Sequence, residues 1–191
     1  MAGRTRNSSK VQVLSSKTVF RGPVFQVNSD RVREPGGIEA RRDMIRHPGS
    51  VVILAVDDSG KQPKVLLARQ YRYAARQRLW ELPAGRIDAG EKPLAAAQRE
   101  LLEETGYTAQ HWKRALFFYA SPGFLDETMA IYLASGLRAG QAQPEEDELI
   151  QKRLFALPAA VRMVMNGRIQ DGKTIAGVLW LEQERSRQGR S

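Results

Sequence analysis

The reading turns on Gly85-Arg86-Ile87-Asp88-Ala89-Gly90-Glu91-Lys92-Pro93-Leu94-Ala95-Ala96-Ala97-Gln98-Arg99-Glu100-Leu101-Leu102-Glu103-Glu104-Thr105-Gly106-Tyr107. Leu94, Ala97, Leu101 and Thr105 recur at helical spacing. Pro93 suits a first turn, where its missing N–H costs nothing. Gly106 suits a stop, where a left-handed residue is favoured. The spacing therefore predicts a loop running into a short helix. At about 100° per residue, Glu100, Glu103 and Glu104 fall within an arc of about 100° beside the apolar stripe. Like charges so placed destabilise an isolated helix by about 0.2–0.5 kcal/mol per pair. Such a local conflict tends to mark function, and a cation resolves it. Clustered carboxylate oxygens are hard ligands suited to Mg²⁺ or Mn²⁺. Taken alone, Glu-x-x-Glu-Glu reads more readily as a solvated acidic face.

The wider spacing carries more. Gly85, five residues, Glu91, seven residues, Arg99-Glu100, an aliphatic residue, any residue, Glu103-Glu104, any residue, Gly106 and a bulky apolar residue fill every fixed position of the Nudix box. The chain resembles the Nudix hydrolases, which cleave nucleoside diphosphates linked to another moiety with divalent metal held by this helix. The resemblance implies Glu100 and Glu104 as direct ligands, Glu103 as a further ligand or the holder of a water, and the backbone carbonyl of Ala84 completing a metal site. Two or more Mg²⁺ or Mn²⁺ ions per site are implied, serving attack and departure together. Glu91 and Arg99 are expected to brace the loop, and Gly85, Gly90 and Gly106 to supply backbone freedom.

Composition sets the outer limits. At 191 residues the chain can form one domain with a small appendage. With no cysteine there is no disulfide and no thiolate nucleophile, in keeping with a reducing cytoplasm. Two histidines, His47 and His111, are too few for a histidine-based metal centre. No apolar run approaches the length of a membrane span. The net charge of +9 suits an anionic diphosphate substrate or a nucleic acid. Nucleic-acid binding is disfavoured, because a Nudix-like RNA-binding module predicts damaged box carboxylates and none is damaged. The first acidic residue is Asp30, a start that resembles a transit peptide. Val11-Gln-Val-Leu and Thr18-Val-Phe read as strands and weigh against that.

Residues 1–10 are polar and basic, a disordered end. Strand-like runs cover 11–14, 17–20, 24–32 and 38–46, with Pro35-Gly36-Gly37 as a turn. Residues 1–47 are thus expected to form a small antiparallel β subdomain whose exposed edges favour a homodimer. Residues 48–191 are expected to form the hydrolase domain. Within it, 50–56 reads as a buried strand and 64–73 as a second. Residues 79–85 lead to the box, and 114–120 and 127–137 read as strands. The stretch 149–157 reads as another strand, 158–166 as a helix, and Asp171 as the start of a last helix before a frayed tail from Arg185. This order suits an α/β chain with a mixed sheet between helices. The resemblance implies the α/β/α Nudix sandwich.

Several stretches resemble the ADP-ribose pyrophosphatases among these hydrolases. They are Gln70-Tyr-Arg-Tyr-Ala74, Leu79-Trp-Glu-Leu-Pro-Ala-Gly85 and Ser121-Pro-Gly-Phe-Leu-Asp-Glu127, with Pro122 fifteen residues past Tyr107. That subfamily implies splitting of ADP-ribose into AMP and ribose 5-phosphate. It implies a general base on a late acidic loop, matched best by Glu148, with Glu145 and Glu146 as rivals. It implies Arg72 on the diphosphate, Arg42 reaching the substrate from the partner subunit, and Pro122 and Phe124 at the substrate. Phe25, Trp80 and Phe124 are candidates for the adenine face. The same metal helix would serve another nucleotide sugar such as GDP-mannose.

Overall fold

The computed structural model describes residues 10–140 and 151–188. Ten strands, three α-helices and one short 3-10 turn (Tyr73–Ala75) lie among them. The strands are β1 (Gln12–Arg21), β2 (Gln26–Arg33), β3 (Glu39–Arg46), β4 (Ser50–Asp57), β5 (Lys64–Arg72), β6 (Gln77–Glu81), β7 (Ala84–Arg86), β8 (Tyr107–Tyr119), β9 (Thr128–Ala139) and β10 (Gln151–Ala156). The helices are α1 (Pro93–Thr105), α2 (Leu157–Met165) and α3 (Gly172–Gln188). Among the described residues the chain falls into two compact units. One takes the chain up to Gly49 together with Tyr119–Thr128, and the other takes Ser50–Phe118 with Met129 onward.

The larger unit explains the unbroken apolar run of β4. Side chains alternate across a strand, so an all-apolar strand needs two covered faces. Val52, Leu54 and Val56 pack with Val65 and Leu67 of β5 against Leu157, Ala160 and Met163 of α2 and Val178 and Leu181 of α3. Val51, Ile53 and Ala55 pack with Leu66 against Ala96, Ala97 and Leu101 of α1. The sheet is therefore the middle layer of an α/β/α sandwich. Its order is β10-β5-β4-β9-β8, with β6 on β5 and β7 on β4. The β4–β9 pair is parallel, whereas β4–β5, β4–β7, β5–β6 and β5–β10 are antiparallel, so the sheet is mixed.

The smaller unit is the antiparallel sheet β1-β2-β3. The two short runs expected at 11–14 and 17–20 form one strand, carried through by register shifts between Val13 and Ser15 and between Thr18 and Phe20. A bulge hides an extra residue in a continuous ladder, which breaks the alternation that a reading by periodicity uses. The buried Asp30 accepts from Ser16 Oγ at 2.6 Å and from Arg46 Nη2 at 3.1 Å. Arg46 Nη1 reaches Asp126 at 3.1 Å, and Ile45 exchanges backbone bonds with Phe124 and Asp126. The end of β3 thus holds the loop that carries Pro122.

Two other boundaries moved. Strand β8 begins directly after Gly106, several residues before the expected 114, because Thr108 and Gln110 are polar on a face that is exposed. Helix α3 runs to Gln188 across the tail expected to fray from Arg185. Its start agrees with Asp171, whose carboxylate caps the Thr174 N–H at 3.0 Å.

Candidate active site

Helix α1 is set by the features that the sequence displayed. Pro93 opens it, and Gly106 closes it at φ 70° with its N–H on the Leu102 carbonyl at 2.7 Å. The buried face is Ala96, Ala97, Leu101 and Thr105. Leu94 was expected on that stripe and is exposed instead.

The acidic side of α1 lies beside β7. A Cβ built on Gly85 would stand 1.9 Å from Glu100 Cδ and 2.0 Å from its Oε1. The Glu100 carboxylate therefore occupies the space that a side chain would fill, against the backbone that carries the Ala84 carbonyl. Arg99 organises what surrounds it. Its Nε and Nη2 donate to the Glu91 carboxylate at 3.1 and 3.0 Å, and Nη2 also donates to the Arg86 carbonyl at 3.2 Å. Its Nη1 donates to Glu100 Oε1 at 2.7 Å and to Glu103 Oε2 at 3.0 Å. Glu91 completes the turn by accepting from the Asp88 N–H at 3.2 Å. The Arg99 guanidinium holds the Glu91 carboxyl below the usual carboxylate range. Glu91 in turn, followed by Glu100 and Glu103, pushes the Arg99 proton affinity up.

A second cluster lies at the ends of β5, β6 and α3. Arg72 Nε and Nη2 both donate to the buried Glu81, each at 2.9 Å. Lys173 Nζ donates to Glu81 at 2.5 Å and to Asp171 at 2.9 Å. Asp171 also takes Thr174 Oγ1 at 2.5 Å, and Thr174 Oγ1 accepts the Leu82 N–H at 2.8 Å. Burial works to raise the Glu81 carboxyl, but Arg72 and Lys173 override it and hold it below the usual range. Arg72 is raised by its hydrogen bonds to Glu81, and the charge of Glu104 adds to this. Arg72 thus stands within the field of the acidic helix.

Glu81, Asp171, Lys173 and Thr174 had no place in the sequence reading of the site. The usable signal was Glu81 itself, a carboxylate in the apolar run Leu79–Ala84. A buried charge requires a partner. Arg72 is one partner, and the other, Lys173, lies on α3, 92 positions away, at a distance no local pattern reports.

The other expected residues are spread over both units. Trp80 packs edge-on against Phe155 with centroids 4.9 Å apart, and the Arg69 guanidinium lies 5.7 Å from its ring. In the smaller unit Arg42 pairs with Glu34 at 2.7 Å, Phe25 tilts against Phe20, and Phe124 is exposed. Pro122 sits in the loop held by β3. Glu145, Glu146 and Glu148 lie outside the described residues.

The donor set fits a divalent cation. Carboxylates and a carbonyl are hard oxygen ligands, and the Glu100 carboxylate is seated against Gly85, the residue after Ala84. Among the described residues no three carboxylate or imidazole groups converge tightly enough to enclose an ion. Arg99 supplies the compensating charge to Glu100 and Glu103.

The comparisons agree with this architecture. The family description "NUDIX domain" matches residues 46–177. The chain is 41% identical to the ADP-ribose pyrophosphatase of Mycobacterium tuberculosis over 88% of its own length and 81% of that protein. It is 34% identical to the ADP-ribose pyrophosphatase of Bacillus subtilis over 92% of its length and 94% of that protein. A solved structure described as an ADP compounds hydrolase superposes with a TM-score of 0.81 at 21% identity, covering 95% of this chain and 97% of that one. With the complete box on a helix packed beside β7, the chain belongs to the Nudix family of hydrolases.

Proposed function

We propose that the protein hydrolyses the diphosphate of ADP-ribose, giving AMP and ribose 5-phosphate, with Mg²⁺ or Mn²⁺ at two or more positions. The observation that carries the chemistry is the Glu100 carboxylate seated against the Ala84–Gly85 backbone. The substrate follows from the names of the two pyrophosphatases that the chain resembles over most of its length.

A divalent cation held there would supply charge neutralisation for the diphosphate and would lower the pKa of a water. Glu100, Glu104 and the Ala84 carbonyl are the ligands in this reading, and Glu103 is a further ligand or orients a water. Glu148 takes the proton of the attacking water as general base, with Glu145 and Glu146 on the same stretch as alternatives. Arg72 presents the guanidinium edge not used by Glu81 to the phosphate oxygens. Pro122 and Phe124 shape the substrate end, and Arg42 contributes from the partner subunit. Val13, Val19, Phe20 and Val24 of the smaller unit, each about half exposed, support a homodimer, because apolar side chains left in water gain by burial against a partner. No described helix is long and apolar enough to cross a membrane.

Purified protein with ADP-ribose and Mg²⁺ should release AMP and ribose 5-phosphate, followed by ion-exchange chromatography. Fast cleavage of GDP-mannose without cleavage of ADP-ribose would transfer the assignment to another nucleotide sugar. Light scattering should give twice the chain mass, and a monomer at micromolar concentration would remove the partner role of Arg42.

A further inference from the structure

We propose that Glu81 and Lys173 are positioning residues that orient Arg72 for diphosphate binding. The inference rests on the reading that Arg72 contacts the diphosphate. An exposed arginine samples many rotamers, and ordering it on binding costs affinity. Here the Nε and Nη2 edge is locked on both oxygens of Glu81, each at 2.9 Å. A fork of this kind fixes the plane of the guanidinium as well as its position. The opposite edge, bearing Nη1, is thereby aimed in one direction before substrate arrives.

Glu81 can serve only if its own carboxylate is held. Its side chain is 4% exposed and Lys173 is 9% exposed, so neither is a solvated surface charge. Lys173 spans Glu81 and Asp171, and Asp171 caps the first turn of α3 through Thr174. Thr174 also accepts the N–H of Leu82, and the next residue, Pro83, accepts from Ile53 N–H at 2.8 Å. The start of α3 therefore registers Arg72 and the Leu82–Ala84 segment against each other. Two cations and two carboxylates balance in the cluster, so Arg72 offers phosphate an aimed donor without adding an uncompensated buried charge.

The test is a double-mutant cycle on the full chain with ADP-ribose and excess Mg²⁺. Glu81→Gln should raise KM by about tenfold to a hundredfold, with a smaller change in kcat and an unchanged circular dichroism spectrum. Lys173→Met should raise KM less, and Lys173→Arg should restore it. If Glu81→Gln alone proves unstable with Lys173 left buried, Glu81→Gln/Lys173→Met removes one charge of each sign and carries the same readout. In an Arg72→Ala background, Glu81→Gln has no orientation left to lose, so the double variant should match Arg72→Ala within about twofold. An equal rise in KM from Glu81→Gln in both backgrounds would overturn the inference. A folded Glu81→Gln protein with unchanged KM, beside an impaired Arg72→Ala, would also overturn it. An unchanged KM for Arg72→Ala removes the diphosphate contact and the positioning role together, while hydrolysis by the metal helix stands.

Discussion

The Glu100 carboxylate fills the place in front of Gly85 where any other residue would carry its Cβ, 1.9 Å from Glu100 Cδ. No real Cβ tolerates that approach, so a side chain at position 85 would displace the carboxylate of a candidate ligand, while the φ of Gly85 does not itself call for glycine. Gly85→Ala should drive the carboxylate off the Ala84–Gly85 backbone. Mn²⁺ affinity, measured by titration calorimetry, should fall by about 10–100-fold, the usual cost of misplacing a ligand's support. Because the displaced group is a partly solvent-accessible side chain, the melting temperature in chelator should change little. Unaltered Mn²⁺ affinity would disconnect Glu100 from the metal.

Glu104→Gln changes one charge and almost no volume. The like-charge crowding with Glu100 is relieved, so the metal-free protein should be as stable as before or slightly more so. Turnover should drop by about a hundredfold or more, because a ligand charge is lost where phosphoryl charge is neutralised. Steady-state kinetics beside melting curves separates the two effects. A variant with unchanged kcat would remove Glu104 from the site.

Arg99 sets a positive charge against the acidic helix. It bonds to Glu91, Glu100 and Glu103 at once. Arg99→Ala should leave those carboxylates facing one another and lower the melting temperature in chelator by about 2–4 °C, equivalent to about 1 kcal/mol for a chain of this size. Adding Mn²⁺ should then restore more stability to the variant than to the unsubstituted protein, since binding to the folded form alone stabilises by mass action. Equal Mn²⁺ shifts in both proteins would show that Arg99 and the cation do not compensate the same charges.

The parts legible in sequence were those set by local rules. Pro93 and Gly106 bounded α1 within a residue, and the apolar run of β4 announced a strand buried on both faces. The Glu91–Arg99 contact spans eight positions within one turn and helix, and it was implied by the resemblance to the Nudix hydrolases. The Glu81–Lys173 pair could not be read the same way. It exists because the fold brings the end of β6 to the start of α3, a consequence of topology. The bulged strand β1 was divided in the reading because bulges disrupt periodicity while keeping the ladder.

Glu81 also sets a pH dependence whose sign can be worked out. Burial raises its carboxyl, and Arg72 and Lys173 more than reverse this, so the folded value lies below the reference 4.5. A carboxyl depressed on folding contributes stability that is fully present above its unfolded value and is lost as pH falls through its folded value. Glu81→Gln cannot titrate and lacks this contribution at every pH. The melting-temperature gap between the unsubstituted protein and Glu81→Gln should therefore be constant from neutral pH down to about 4.5, then close as acid protonates Glu81 and frees Arg72 and Lys173. Calorimetric scans between about pH 7 and about pH 3 measure the gap directly. A gap that stays the same across that range would mean that the carboxylate charge contributes nothing and that the pairing acts through shape alone.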